Sequence, residues 1–282
     1  MARSTPQTPS PQAKLVQIIK DLDASLIEKT DDIHLVVTTI VANSALLFVS
    51  PPGSGKSFLI ENFFRAVTDA TKPFVYVMGK FTEPKHLFGP VDVLALKEGR
   101  NHVITKGMLP EAPAVFLDEI WKSSTAAANS ILRVVNERMF NDGGGERKIP
   151  ARAFFFASNE WPQDGELGAI FDRCVIRKTT GYVTKRASRS QLLRKMDHTP
   201  AMATTMTLSE LDQCTADAML LPIPEPVWKL VEEIVETCIA QGIRPSDRRL
   251  PLVGKIVRAI ANVHGATEVN QDHLEIHSNV LW

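Results

Sequence analysis

An apolar run, Ala45-Leu46-Leu47-Phe48-Val49, passes directly into Ser50-Pro51-Pro52-Gly53-Ser54-Gly55-Lys56-Ser57. That loop passes in turn into Phe58-Leu59-Ile60-Glu61-Asn62-Phe63-Phe64, where apolar residues recur at helical spacing. A buried strand, a glycine-bearing loop ending in Gly-Lys-Ser, and a helix leave few ways to fold. Small residues at Gly53 and Gly55 let backbone N–H groups turn toward one anion, and the helix adds its positive N-terminal end. The pattern G-x-x-x-x-G-K-[ST] is that of a phosphate-binding loop, and it predicts nucleotide binding by Pro52, Gly53, Ser54, Gly55, Lys56, Ser57 and Phe58. Lys56 would reach the outer phosphates, and the Ser57 hydroxyl would hold a magnesium ion. One position departs. Ser50 stands where the pattern has Gly, so a residue with a Cβ is expected to bear an unusual backbone angle there. The competing reading is a plain Gly-Pro turn, which the strand and helix on either side disfavour.

A chain of 282 residues with 44% hydrophobic content can build a large domain and a small one. Lys plus Arg equals Asp plus Glu at 32 each, so no overall field draws the chain to nucleic acid or to an anionic membrane. Cys174, Cys214 and Cys238 are scattered and form no C-x-x-C pair, which argues against a disulfide framework or zinc site and fits a cytoplasmic protein. The first ten residues lack an apolar core and read as a disordered tail, not a signal peptide. The longest apolar run, 35–49, is broken by Asn43 and Ser44 and is too short to span a bilayer.

Leu15, Ile18, Ile19, Leu22 and Leu26 predict an amphipathic helix over 13–29, and a second helix over 31–42 leads into the first strand. Further strands are expected at 74–78, 114–117, 153–157 and 174–176, with helices between them. Strands apolar on both faces and separated by helices imply an α/β fold, a parallel sheet covered on two sides. Residues 91–108 and 139–152, the latter carrying Asp142-Gly143-Gly144-Gly145, read as hairpins projecting from that layer. After Lys178 the sheet pattern stops. Pro222, Pro224 and Pro226 introduce helices near 227–241, 251–264 and 272–281, a small helical domain. The expected organisation is a tail over 1–12, a nucleotide-binding core over 13–190 and a helical lid over 191–282.

Hydrolysis needs a metal anchor, a group that positions water, and stabilisation of the charge that spreads over the transferred phosphoryl. Val115-Phe116-Leu117-Asp118-Glu119 ends a buried strand in two carboxylates, at the sheet edge where the phosphate loop also lies. Asp118 is the candidate magnesium contact, and Glu119 the candidate for polarising the attacking water. The alternative makes the pair an N-terminal helix cap. Asn159, after the fourth strand, can bridge water and γ-phosphate. In Gly168-Ala169-Ile170-Phe171-Asp172-Arg173 helical geometry sends Asp172 away from Arg173, leaving that Arg to reach a neighbouring subunit's γ-phosphate or to form an internal salt bridge.

The order of phosphate loop, Val115 to Glu119, Asn159, Asp172-Arg173 and Ser246-Asp247-Arg248-Arg249 resembles the AAA+ ATPases of the MoxR group, and within it the RavA subgroup. Phe81-Thr82-Glu83-Pro84-Lys85-His86-Leu87-Phe88-Gly89-Pro90, Leu109-Pro110-Glu111-Ala112, Ile120-Trp121-Lys122, Asn136-Glu137-Arg138-Met139-Phe140 and Ala157-Ser158-Asn159-Glu160 extend the likeness across 13–282. The resemblance implies ATP and magnesium as cofactors, Asn159 as the sensor-1 residue, Arg173 as an arginine finger, and Arg248 or Arg249 as the sensor-2 residue on the lid. It also implies that 91–108 is a helix-2 insert and 139–152 a pre-sensor-1 hairpin, elements that face the pore of a ring in related machines. A partner with a von Willebrand factor A type domain is expected on the same ground. RavA-like proteins usually continue beyond the lid, where this sequence stops.

The function expected is magnesium-dependent ATP hydrolysis by a ring, a hexamer, that remodels or activates a partner protein. A nucleic-acid-stimulated motor and a nucleotide-gated binding module are the alternatives. Between Asp172 and Asp197 every charged residue is basic, namely Arg173, Arg177, Lys178, Lys185, Arg186, Arg189, Arg194 and Lys195. With little aromatic interleaving for base stacking, an interdomain or intersubunit surface is favoured over nucleic acid. His273 and His277 share a helix face but lack a third ligand and the H-E-x-x-H pattern, which disfavours a metal site. Trp121 and Trp228 read as packing residues.

Overall fold

The computed structural model describes residues 9–162, 168–194 and 202–280. Residues 1–8 of the expected tail, Lys195 and Asp197 of the basic stretch, Leu281, Trp282 and the His277 side chain lie outside the described residues.

Helices α1 (Pro11–Ser25) and α2 (Thr30–Val41) precede β1 (Ala45–Val49), and α3 (Lys56–Arg65) follows the phosphate loop. Then come β2 (Phe74–Val77), two short helices α4 (Pro84–Phe88) and α5 (Val93–Lys97), β3 (Ala114–Asp118) and α6 (Thr125–Glu137). A small antiparallel hairpin, β4 (Met139–Asn141) and β5 (Glu146–Lys148), leads to β6 (Ala153–Ser158), α7 (Gly168–Arg173) and β7 (Ile176–Thr179). The chain continues through α8 (Arg186–Arg194), α9 (Leu208–Leu220), α10 (Glu225–Ala240), α11 (Leu250–Val263) and a 3-10 stretch, Gln271–Asn279.

The main sheet is parallel in the order β2-β3-β6-β1-β7. Alternation along each strand divides the core in two. Leu46, Phe48, Phe116 and Phe155 face α1, α2, α3, α9 and α11, whereas Leu47, Val115, Leu117, Phe154 and Phe156 face α4 and α6. Phe48, Phe116 and Phe155 are fully buried, and truncating any one of them to Ala would cost about 3–5 kcal/mol. At the β2 edge the apolar rule lapses, because one face is open and Val75 and Val77 are exposed.

Local signals explain most element ends. Ser10 Oγ accepts from the Ala13 N–H to start α1, and Ser124 does the same for α6. Four expectations are corrected. Helix α1 stops at Ser25 instead of running to 29, because Leu26 is extended and Glu28 takes a left-handed φ of 55°. Strand β7 starts at Ile176 instead of Cys174, whose N–H remains bonded to the end of α7 through Ile170 O and Phe171 O. The 91–108 insert is not a two-stranded hairpin: Asp92 caps the single turn of α5 through the Leu94 and Ala95 N–H groups, leaving one bridge between Val91 and Val103. The last helix is a 3-10 stretch. Helix α9 was not anticipated at all, although Thr207 and Glu210 form a reciprocal capping box at its start.

The two protrusions touch. The Val103 N–H donates to Asp142 O at 2.8 Å and Arg147 Nη2 to Thr105 Oγ1 at 2.7 Å. Gly143, at φ 93°, permits the approach, since a Cβ there would fall 1.3 Å from the Asn101 carbonyl oxygen.

The C-terminal helices share one continuous apolar core with α1, α2 and α3. Three histidines lie along that seam: His34 of α2 meets His264 edge-on at 4.9 Å, and His264 meets His273 at 5.5 Å. Burial holds all three below the ordinary histidine value of 6.5, with Asp23 and Asp31 opposing it at His34, Glu275 at His264 and Asp272 at His273. The folded chain therefore binds fewer protons than the unfolded chain once pH drops below about 6.5, so this stability is complete above that value and lost on acidification. Melting temperature should fall between about pH 7 and about pH 5.5, and His264→Phe should reduce that fall. Thermal unfolding across this range tests it; identical slopes for both proteins would exclude the cluster as the cause.

Candidate active site

Strand β1 is extended one residue beyond Val49 by the Ser50 N–H, which donates to Ser158 O at 2.9 Å. The strain expected at Ser50 is absent. The positive φ values of the loop fall on Gly53 (73°) and Gly55 (84°), where no Cβ resists them. Gly55 is also the N-cap of α3 and provides no side-chain cap, so first-turn N–H groups of a ten-residue helix are left for an anion. Lys56, the first residue of that helix, is 8% exposed. Its ammonium donates to Ser50 Oγ at 2.5 Å, Ser54 Oγ at 3.1 Å and Pro51 O at 3.4 Å. Burial lowers its pKa, and Asp118 and Glu119 oppose that shift through space. Ser57 and Phe58 follow on the first turn.

Asp118 closes β3, two strands from β1, and its Oδ1 accepts the Glu119 N–H at 2.9 Å. Glu119 is left-handed at φ 55° and ψ 41°, a conformation a residue with a Cβ adopts at a cost of order 1–3 kcal/mol. Its Oε2 is buried and accepts no hydrogen bond, although Lys122 Nζ stands 3.2 Å away. Such an atom suits a water or ion partner. The capping alternative fails for this pair, because Glu119 makes no side-chain cap and α6 is capped by Ser124. Asn159 follows β6, the strand between β1 and β3, and is exposed. The sheet order thus brings Lys56, Asp118, Glu119 and Asn159 to one edge. No cluster of three or more His, Cys, Asp or Glu among the described residues is arranged to hold a metal, so magnesium here would depend on phosphate oxygens to complete its shell.

Beside the loop opens a cleft of about 550 Å³ that includes Gly53, Ser54 and Gly55 at one end. Leu26, Ile27, Phe58, Leu59, Tyr182 and Val183 give it an apolar end. An anion-binding end joined to an apolar slot matches a nucleotide's phosphates and base. A larger depression of about 890 Å³ near Lys72 and Pro73 contains no part of the loop and carries no such chemistry. The far wall, 181–194, was not anticipated from sequence. It is pinned by Glu28, which accepts from the Thr184 N–H (2.9 Å), the Thr184 hydroxyl (3.1 Å) and the Lys185 N–H (3.0 Å). Those bonds, with one from the Ser188 hydroxyl that weighs most, hold the Glu28 carboxyl down at about 2. Tyr182 Oη also reaches Pro52 O at 2.9 Å.

The remaining arginines lie elsewhere. Ile176 pairs with Leu46 and Thr179 with Val49, so Arg173 precedes the sheet's N-terminal edge while the phosphate loop leaves the C-terminal edge. Three strand steps, roughly 10 Å, separate the two before either flank is counted. Arg173 is not free: Nε donates to Asn136 Oδ1 at 2.6 Å and Nη1 to Ala169 O at 2.7 Å. Asp172 turns away, accepting Ser246 Oγ at 2.7 Å and Arg248 Nη1 at 3.0 Å. Arg249 is 4% exposed and donates to Val175 O at 3.2 Å and to Val280 O. Of the two sensor-2 candidates, Arg248 thus stands at Asp172 and Arg249 at Val175, beside the segment that carries Arg173.

The model of a MoxR domain found in MoxR-vWA-beta-propeller ternary systems matches residues 13–215. Two uncharacterised proteins of Methanocaldococcus jannaschii are 31% and 30% identical, each over 95% of this chain, and over 70% and 71% of their own lengths. A crystal structure from Cytophaga hutchinsonii, provisionally described as an ATPase, superposes with a TM-score of 0.78 at 15% identity and covers 96% of this chain and 86% of its own. That likeness is one of fold.

Replacing Glu28 with Ala removes the acceptor from two backbone amides. Hydrogen exchange at Thr184 and Lys185 should speed up, since both amides lose their acceptor. Unchanged protection of both amides would refute the clamp.

Proposed function

The chain belongs to the MoxR group of AAA+ ATPases, and from that premise we propose that it hydrolyses ATP with magnesium, in a ring whose sites are shared between subunits, to remodel or activate a partner protein. One observation carries the reading: a buried lysine at an uncapped, glycine-turned helix N-terminus shares a sheet edge with two carboxylates, one of them with a buried oxygen that pairs with Lys122 and accepts no hydrogen bond. In the proposal, the N–H groups from Gly53 to Ser57 and the Lys56 ammonium bind the phosphates, and Pro52 and Phe58 border the nucleotide. Ser57 and Asp118 would hold magnesium, directly or through water. That ion, when bound, offsets charge on the phosphate oxygens. Glu119 would orient and polarise the attacking water, and Asn159 would bridge that water and the γ-phosphate.

Arg173 cannot serve its own loop from the far edge of the sheet, which supports its delivery to a neighbour. Arg248 stands beside it, close enough to lower its pKa after burial, so we assign the two cations jointly to the adjoining subunit's phosphates. The ring, and six as its number, rest on this incompleteness and on family likeness. Membership of the RavA subgroup rests on the motifs. The division at 12 and 190, with a lid that moves, is part of the same proposal.

A protein client is favoured by the insert, where Val93, Leu94 and Leu96 of α5 stand exposed. The family description, which pairs MoxR with vWA domains, supports a partner of that type. The basic stretch is partly occupied within the chain, since Lys178 pairs with Asp31 and Arg189 bonds Thr184 O, which leaves less of it for nucleic acid. No helix among the described residues is long and apolar enough to cross a membrane. Cys174 and Cys214 are buried and unpaired, in keeping with a reducing compartment such as the cytoplasm.

Turnover per subunit should rise with protein concentration, and Arg173→Ala should lower kcat by about 10³–10⁵ while sparing ATP affinity. Monomeric, concentration-independent hydrolysis would defeat the shared site. Glu119→Gln should retain ATP and lose about 10²–10⁴ in kcat. Stimulation by DNA or RNA that weakens steeply with salt would instead favour a nucleic-acid motor. Loss of partner remodelling on altering 91–108 or 139–148 separates a motor from a gated binder, which would keep its cycle.

A further inference from the structure

Among the described residues, the acceptors that Lys56 bonds all lie within its own loop. The shortest contact, 2.5 Å, goes to the hydroxyl of Ser50, the residue that stands where the phosphate-loop pattern has glycine. Ser50 is 5% exposed, its Oγ also lies 3.2 Å from Ser54 Oγ, and Ser54 Oγ is 3.1 Å from the ammonium. No carboxylate among the described residues forms an ion pair with Lys56. Glycine could not make the Ser50 contact, and the backbone at 50 has no positive φ that would require glycine. The departure from pattern thus has a chemical consequence: a neutral acceptor is built against the cation that must reach phosphate.

We propose that Ser50 is a positioning residue that holds Lys56 against the loop and competes with nucleotide phosphates for its ammonium, thereby setting nucleotide affinity. This rests on the nucleotide reading above. The sign follows from which state is left unpaired. Without nucleotide, removing the Ser50 hydroxyl leaves a buried N–H of a charged group short of its best acceptor. With nucleotide, a phosphate oxygen takes that place. The cost falls on the nucleotide-free protein, so affinity rises. A bond to a charged group is strong enough for roughly a tenfold change, allowing Ser54 to recover part of it.

The test compares the full chain with Ser50→Ala by calorimetric titration with ATP and magnesium, and by thermal unfolding with and without saturating ATP. Ser50→Ala should bind ATP about tenfold more tightly, melt at a lower temperature without nucleotide, and match the parent when ATP is bound. In a Lys56→Met background, Ser50→Ala should lower the melting temperature by much less, since only the Ser54 contact is then left to lose. Equal or weaker ATP binding by Ser50→Ala, or an equal loss of melting temperature with and without ATP, overturns the proposal. So does the same loss in the Lys56→Met background. Should Ser50→Ala fail to fold, Ser50→Cys keeps the volume with a weaker acceptor and must show a smaller tightening; no tightening overturns the proposal. If the parent protein binds no nucleoside triphosphate, the functional reading itself fails, whereas a parent that binds ATP as well as its Ser50 variant does sinks this inference alone.

Discussion

The candidate site depends on keeping one ammonium group out of water at the start of a helix. Lys56 sits where the chain leaves β1 and enters α3, and its burial is possible only because the loop supplies acceptors on every side. A buried cation without partners would cost several kcal/mol or lose its proton. Here the Ser50 and Ser54 hydroxyls and the Pro51 carbonyl meet that need, and Gly53 and Gly55 bend the backbone so that its N–H groups share the same concavity. In the proposed reading, phosphate binding is an exchange of acceptors at that ammonium.

The parallel sheet gives that lysine its neighbours. With β6 between β1 and β3, the residues after all three strands emerge together, and Asn159 stands between the phosphate loop and Asp118-Glu119. The left-handed backbone at Glu119 turns its carboxylate out of the strand direction, and the 3-10 turn Ile120–Lys122 follows from it. At the other edge, Asp172 gathers Ser246 and Arg248, while Arg249 ties the start of α11 to Val175. The C-terminal helices are thus joined to the segment that carries Arg173, so a shift in one would be felt by the other.

Much of this was legible in the residue order. Strand β1 has the bounds that its apolar run implied, and α2, α10 and α11 lie within a residue or two of their patterns, because a helix that buries one face leaves that face's periodicity in the sequence. Helix α9 carries its start signal in Thr207 and Glu210, but only Leu211, Cys214 and Ala218 of it are buried, which leaves a weak apolar pattern. The insert at 91–108 differs for another reason: alternating apolar residues usually mark a strand, yet Val93, Leu94 and Leu96 lie on an exposed single turn that Asp92 nucleates. The Glu28 clamp had no signal, since its partners lie more than 150 residues away.

By itself, the sequence determined the fold class, the phosphate loop, the pair of carboxylates and the family, because each is written in residues that are adjacent or periodic along the chain. Only the tertiary structure decided that Ser50 bonds Lys56 without backbone strain, that Arg173 is held by Asn136, and that Arg248 and Arg249 bond Asp172 and Val175. Those outcomes turn on where side chains from distant segments meet. Hydrogen-bond direction and burial select among partners that spacing leaves equal, and neither exists until the sheet and its helices have closed around them.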